Sequence, residues 1–151
     1  MQHIFIINPH AGKKDQTGRI YEMADRLRQH GLTCQCLLTQ RSGGAEEIAR
    51  RLVSSGEEVR LYACGGDGTF NECVCGAAGL DNVAVCPFPT GTGNDFCRMF
   101  GEEKDRFFDL SDLVRGEVRP LDVMECCGRY AVNICSVGID ARIGTEVHQY
   151  H

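Results

Sequence analysis

The stretch Val59-Arg60-Leu61-Tyr62-Ala63-Cys64-Gly65-Gly66-Asp67-Gly68-Thr69-Phe70-Asn71-Glu72 passes from an apolar, β-rich run through a glycine loop into a helical pattern. Its three glycines let the backbone turn sharply and let a ligand approach the peptide N–H groups. The unpaired N–H groups of the helix's first turn form an anion site. Asp67 is placed there to hold a cation or order its water shell. The plainer alternative is an Asp-Gly turn joining strand to helix. Four small or polar loop residues behind a buried-strand lead-in favour the phosphate site. Set between glycines, the Asp67 side chain is expected to have little structural work.

Strand and helix patterns alternate on both sides of this stretch. Residues 3–7, His-Ile-Phe-Ile-Ile, read as a strand, ended by Asn8-Pro9-His10-Ala11-Gly12. Ile20, Met23, Ala24 and Leu27 recur at helical spacing within residues 17–30, and Gly31 closes them. Thr33–Leu38 reads as a second strand. A helix over 45–54 follows, with Ile48, Ala49, Leu52 and Val53 on one side. Val59–Cys64 is the third strand, Phe70–Ala78 the third helix and Val83–Cys86 a fourth strand, apolar on all sides. Such alternation predicts an α/β fold with a mainly parallel sheet. Right-handed crossovers then bring residues 8–13, 39–44, 65–69 and 87–95 to one carboxyl edge, where open α/β sheets bind ligands. One pocket lined by four loops is the expectation.

Past residue 108 the pattern changes. Asp109–Pro120 reads as a short helix and a turn; Leu121–Glu125 and Tyr130–Val137 read as a hairpin around Cys126-Cys127-Gly128-Arg129. A lone hairpin cannot bury both faces. Residues 1–120 are therefore expected to form an α/β nucleotide-binding domain, and 121–151 to open a second, β-rich domain. Exposed strand edges on that hairpin would invite self-association into a homo-oligomer.

Composition narrows the function. The 151 residues are 42% hydrophobic and 25% charged, the make-up of a folded globular chain. A net charge of −5, from 16 basic and 21 acidic side chains, argues against a nucleic-acid partner. A local basic pocket from Lys13, Lys14, Arg19 and Arg98 remains open. The longest run of aliphatic and aromatic residues, Ile4-Phe5-Ile6-Ile7, is far short of the ~20 that cross a bilayer. It also lacks the flanks of a signal peptide, so the expected location is cytoplasmic. The ten cysteines contain no C-x-x-C spacing, and most sit in apolar runs such as Val83–Cys86 and Val132–Cys135. They read as reduced core thiols, not as a zinc site or disulfide framework.

A second loop, Pro87-Phe88-Pro89-Thr90-Gly91-Thr92-Gly93-Asn94-Asp95-Phe96, also follows a strand. Phe96 stands where a dinucleotide fingerprint needs its third glycine, and no Walker-type segment occurs anywhere. Asp67 and Asp95 project from neighbouring loops. Their carboxylates either share a Mg²⁺ hydration shell or accept hydrogen bonds from loop backbone.

Taken together, Asn8-Pro9-x-Ala11-Gly12, Gly65-Gly66-Asp67-Gly68-Thr69-x-Asn71-Glu72, Gly91-Thr92-Gly93-Asn94-Asp95-Phe96, Leu121-Asp122 and Asn133…Gly138-Ile139-Asp140-Ala141 resemble the diacylglycerol/sphingosine lipid kinase catalytic domain. The first glycine segment is shared with NAD kinases and phosphofructokinases; the second points to the lipid branch. The resemblance implies a sheet domain of the NAD kinase/diacylglycerol kinase type and ATP-dependent transfer of a γ-phosphoryl group to a lipid hydroxyl, diacylglycerol first. It implies nucleotide contacts from Asn8, Pro9, Ala11, Gly12 and Thr39, and from Gly65, Gly66, Asp67, Gly68, Thr69, Asn71 and Glu72. Gly91, Thr92 and Gly93 complete that set. Asp67, Asp95 and Asp122 correspond to the carboxylates that organise Mg²⁺, with Asp67 as the catalytic one and Lys13 and Arg98 beside them. The lipid substrate implies work at a membrane surface, peripheral to the inner face. Members of the family are about twice this length, and the resemblance places their β-sandwich and catalytic base in the second half. An NAD kinase-like enzyme and a nucleotide-binding module without catalysis are the alternatives.

Overall fold

A computed structural model of the chain describes residues 1–53 and 56–136, with Val53 described by its backbone alone. The expected helix end at Ser54, strand end at Val137 and motif Gly138-Ile139-Asp140-Ala141 lie outside the described residues. The elements run β1 (Gln2–Ile7), α1 (Thr17–Gln29), β2 (Cys34–Leu38), α2 (Gly44–Val53), β3 (Val59–Gly65), α3 (Asp67–Ala77) and β4 (Val83–Pro89). The strands form one parallel sheet in the order β2-β1-β3-β4. Its register pairs Ile7 with both Leu38 and Cys64, and Gly65 with Pro89, so the strands end level.

The two-residue repeat of the central strands explains the layers. Ile4 and Ile6 of β1, with Leu61 and Ala63 of β3, face α2 and α3 and meet Ala45, Ala49, Phe70 and Cys73. Phe5, Ile7, Tyr62 and Cys64 face the other way and meet Ile20 and Ala24 of α1. Phe5 stacks on Tyr62 with ring centroids 4.5 Å apart. Both central strands are thus covered on both sides, which is why they read as near-continuous apolar runs, broken in β3 by Arg60.

Two boundaries differ from expectation. β4 continues through Pro87-Phe88-Pro89, although prolines suggest that a strand has ended. It is an edge strand, and the N–H of Thr90 donates to the Gly65 carbonyl at 2.9 Å. The two-residue repeat therefore turns the nitrogens of Pro87 and Pro89 to the open edge, where no ladder bond is lost. α3 starts at Asp67 rather than Phe70, because Gly66 in extended conformation already caps it.

Beyond β4 come α4 (Asp95–Arg98), a 3-10 stretch over Gly101–Phe108 and α5 (Leu110–Arg115). Asp109 caps α5 by accepting from the Ser111 N–H at 2.8 Å. Its last turn is held by the buried Arg60 of β3, which donates to the carbonyls of Leu113 and Val114 at 2.8 and 2.7 Å. The expected hairpin is shorter than its sequence pattern: β5 (Met124–Cys126) and β6 (Arg129–Ala131) have three residues each. Cys127 and Gly128, both with positive φ, make the tight turn. Val123 and Val132 pack against the α2–α3 core.

The cysteines divide by element. Cys64, Cys73 and Cys97 are buried, whereas Cys126, Cys127 and Cys135 are exposed, and all ten are free thiols. The expectation that Cys135 sits in a buried apolar run is corrected: residues 132–136 form no strand, and Ile134, Cys135 and Ser136 are exposed. Among the described residues, no helix is long and apolar enough to cross a membrane.

Candidate active site

The level strand ends open a cleft of about 420 Å³ at the carboxyl edge of the sheet. The chain runs from β1 outward to β2 and then returns to place β3 on the other side of β1. The crevice thus sits at the topological switch point, where open α/β sheets hold ligands. All four loops that follow strands contribute to it.

The loop after β1 supplies Asn8, Ala11 and Gly12. The Asn8 side chain accepts from the His10 N–H at 3.0 Å and donates to the Thr69 hydroxyl at 3.3 Å, tying this loop to the start of α3. Gly12 has φ +75°, and a Cβ there would lie 2.2 Å from the Thr90 carbonyl oxygen. Only glycine lets the first and fourth loops meet.

The loop after β3 supplies Gly66, Gly68 and Thr69. No side chain caps α3, and its first backbone bond runs from the Phe70 N–H to the Gly66 carbonyl at 3.1 Å. The amides before Phe70 therefore lack intrahelical partners and are the donors this wall offers. Gly91 completes the wall, so close to Gly66 that a Cβ on it would sit 2.5 Å from the Gly66 Cα.

The opposite rim is the loop after β2, with the buried Thr39 beside Arg41 and Ser42. Glu72 of α3 fastens this rim. Its two carboxylate oxygens accept from the N–H groups of Gly43 at 2.9 Å and Ala45 at 3.1 Å. Glu72 lines the cleft, but its side chain is committed to the start of α2.

Other expected residues lie away from the cleft lining. Pro9, Gly65, Thr92 and Gly93 do not line it. Asn71 uses both ends of its amide on the hairpin, donating to the Tyr130 carbonyl and accepting from the Val132 N–H, each at 3.1 Å. Asp67 faces a narrow crevice with Pro87, Pro89, Phe96 and Cys97. Its Oδ1 accepts from the Phe96 N–H at 3.2 Å and the Asn133 side chain at 3.3 Å. The expectation of little structural work for Asp67 is thereby corrected, since it joins α3 to the start of α4 and to the segment after β6. Beside it, burial and then the Asp67 charge push the Cys97 thiol up to about 11.

The expected Mg²⁺ carboxylates are not gathered. Asp95 pairs with Arg98 at 3.0 Å on the surface, and Asp122 is exposed. Among the described residues, no group of three or more His, Cys, Asp or Glu has the geometry to hold a metal ion. The basic set Lys13, Lys14, Arg19 and Arg98 does not line the cleft either; His10 and Arg41 do. The signal for Arg41 was its place in the loop after β2, whose position at the carboxyl edge the strand–helix alternation had already indicated.

The family model for the diacylglycerol kinase catalytic domain matches residues 2–126. The diacylglycerol kinase of Bacillus subtilis (strain 168) is 31% identical over 135 residues, covering 88% of this chain and 44% of that protein. The diacylglycerol kinase of Staphylococcus aureus (strain MRSA252) is 31% identical over 142 residues, covering 93% and 45%. A crystal structure of a diacylglycerol kinase from Bacillus anthracis str. Sterne aligns with a TM-score of 0.67 over 97% of this chain and 52% of its own, at 23% identity. That last likeness speaks for the fold alone. The chain spans about half the length of the curated relatives it matches.

Proposed function

The chain belongs to the diacylglycerol kinase catalytic domain family, and from that membership and its cleft we propose that it binds ATP for transfer of the γ-phosphoryl group to a lipid hydroxyl, diacylglycerol in the first instance. The observation that carries this reading is the convergence of four loops on one switch-point cleft walled by the unpaired amides of α3. Phosphoryl transfer asks little covalent chemistry of a protein; it asks for positioning and for donors aimed at phosphate oxygens. Asn8, Gly12 and Gly91 bring the backbone close, and the first turn of α3 offers the donors.

Asp67, Asp95 and Asp122 do not together fit a protein-held Mg²⁺, so the ion is taken to arrive on the nucleotide's phosphates as part of the substrate. Asp67 is the proposed catalytic carboxylate. Its hydrogen bonds from Phe96 and Asn133 both fall on Oδ1, which leaves Oδ2 to accept from the reacting groups. In the balanced reaction the lipid oxygen bonds to the γ-phosphorus, the bond from that phosphorus to the β-phosphate oxygen breaks so that ADP leaves, and the hydroxyl proton passes to water.

Two measurements test the reading. Calorimetric titration with ATP or ADP and MgCl₂ is expected to show one nucleotide per chain, and no detectable binding overturns the proposal. With γ-labelled ATP and diacylglycerol, sphingosine and NAD as competing acceptors, the label that is transferred is expected in the lipid. Label in NAD overturns the lipid reading in favour of an NAD kinase-like enzyme.

A further inference from the structure

The cleft has a feature that family membership does not assign. Its glycine wall presents amides, which are only partial charges, whereas a nucleotide polyphosphate brings a full anionic charge. Among the described residues lining the cleft, Arg41 is the single Lys or Arg side chain. It stands on the rim opposite the glycine wall. Its guanidinium meets Glu47 of α2 at 2.7 Å, with both side chains largely exposed, at 72% and 68%. An ion pair this open to water is weak. A guanidinium fork can bind phosphate oxygens bidentately, whereas here it meets Glu47 through a single nitrogen.

The backbone beneath Arg41 is fixed. The Gly44 N–H closes a turn onto the Arg41 carbonyl at 3.0 Å. Glu72 clamps the next residues through Gly43 and Ala45, so this rim is anchored directly to α3, the helix that carries the glycine wall. The long side chain is thus free to move while its Cα is not.

Resting on the nucleotide-binding reading above, we propose that Arg41 is a phosphate-binding residue of the cleft, held in reserve by Glu47 and released to the phosphate chain when nucleotide enters. Glu47 is then a competitor for the same guanidinium. Weakening it favours the ligand.

The test is titration of ADP with MgCl₂ into the wild-type chain, Arg41→Gln and Glu47→Gln, at low and high NaCl. Arg41→Gln is expected to weaken ADP about tenfold at low salt, as for loss of one charge-assisted contact at an open site. That loss shrinks as salt screens the contact. Glu47→Gln is expected to tighten ADP about twofold, the scale of an exposed ion pair. Each change should shift the melting temperature by no more than about 2 °C, because both side chains are exposed. ADP affinity unchanged in Arg41→Gln overturns the inference. So does an equal loss at both salt concentrations, which would mean stacking on the base, and so does weaker binding by Glu47→Gln. Absence of ADP binding by the wild-type chain overturns the proposed function itself, and this inference with it.

Discussion

Glu72 invites a quantitative prediction, because it caps a helix that begins 28 residues before it in the chain. α2 starts at Gly44, with Gly43 and Ser42 before it. The acceptor for the amides of Gly43 and Ala45, on either side of its first residue, comes instead from α3, through both oxygens of one carboxylate, at 2.9 and 3.1 Å. A hydrogen bond to a charged acceptor contributes roughly 1.5–3 kcal/mol. The favourable interaction of an anion with a helix start adds a few tenths more. Glu72 is only half-buried, however, so amides released by a truncation regain water. The net loss for Glu72→Ala is about 2 kcal/mol, below the value for two fully buried bonds. In a chain of this size that lowers the melting temperature by roughly 4–8 °C. Glu72→Gln retains one acceptor and the shape, and should lose about half as much.

Thermal unfolding followed by far-ultraviolet circular dichroism measures the shift, and hydrogen exchange at the Gly43 and Ala45 amides locates it. Those two amides should exchange faster in Glu72→Ala, while the core of β3 keeps its protection. A Glu72→Ala protein melting within about 1 °C of wild type, with both amides still protected, would refute the capping role.

His3 is buried beside the Tyr62 hydroxyl, at 2.8 Å, and its pKa lies below 6.5 because of burial first and then the positive charges of Arg60 and the N-terminus. The unfolded chain therefore takes up a proton at a pH where the folded chain does not. Stability rises with pH across the window from the lowered value up to 6.5, and is lost as pH falls through it. Melting curves at about pH 7.5 and 5.5 should show a larger acid loss in wild type than in His3→Gln, and equal losses would contradict the assignment. For the thiols, brief alkylation near neutral pH followed by mass mapping should label the exposed Cys126, Cys127 and Cys135 first. Cys64, held well above its ordinary range by burial, and Cys97, pushed up to about 11, should react only on unfolding; early labelling of Cys97 would contradict its placement.

What was legible in the sequence divides according to the distance over which each residue acts. The alternation of Ile4 and Ile6 with Phe5 and Ile7, and the spacing of Ile20, Met23, Ala24 and Leu27, are local periods, and they assign strand, helix and buried face without reference to the rest of the chain. Parallel strands joined by helices then leave one edge for the loops, so the position of the cleft followed from the same local signals. The partners inside the site did not. Asp67 sits between glycines and looks idle until β4 brings Phe96 back beside it, 29 residues later. Asn71 looks like a ligand-facing amide until the hairpin lies across α3 and takes both of its ends. Arg60 is one charge in an otherwise apolar strand until α5 arrives to accept its donors. Even Pro87 and Pro89 mislead for this reason: a local rule ends the strand at them, and only the edge position of β4 removes the penalty. In each case the residue type announces a capacity, to accept, to donate or to withhold a donor, and the crossover connections decide what it meets. Arg41 is the complementary case. Its loop was legible as part of the cleft, but its weight comes from a census of the assembled walls, which hold amides, hydroxyls and a committed carboxylate but no other Lys or Arg side chain among the described residues.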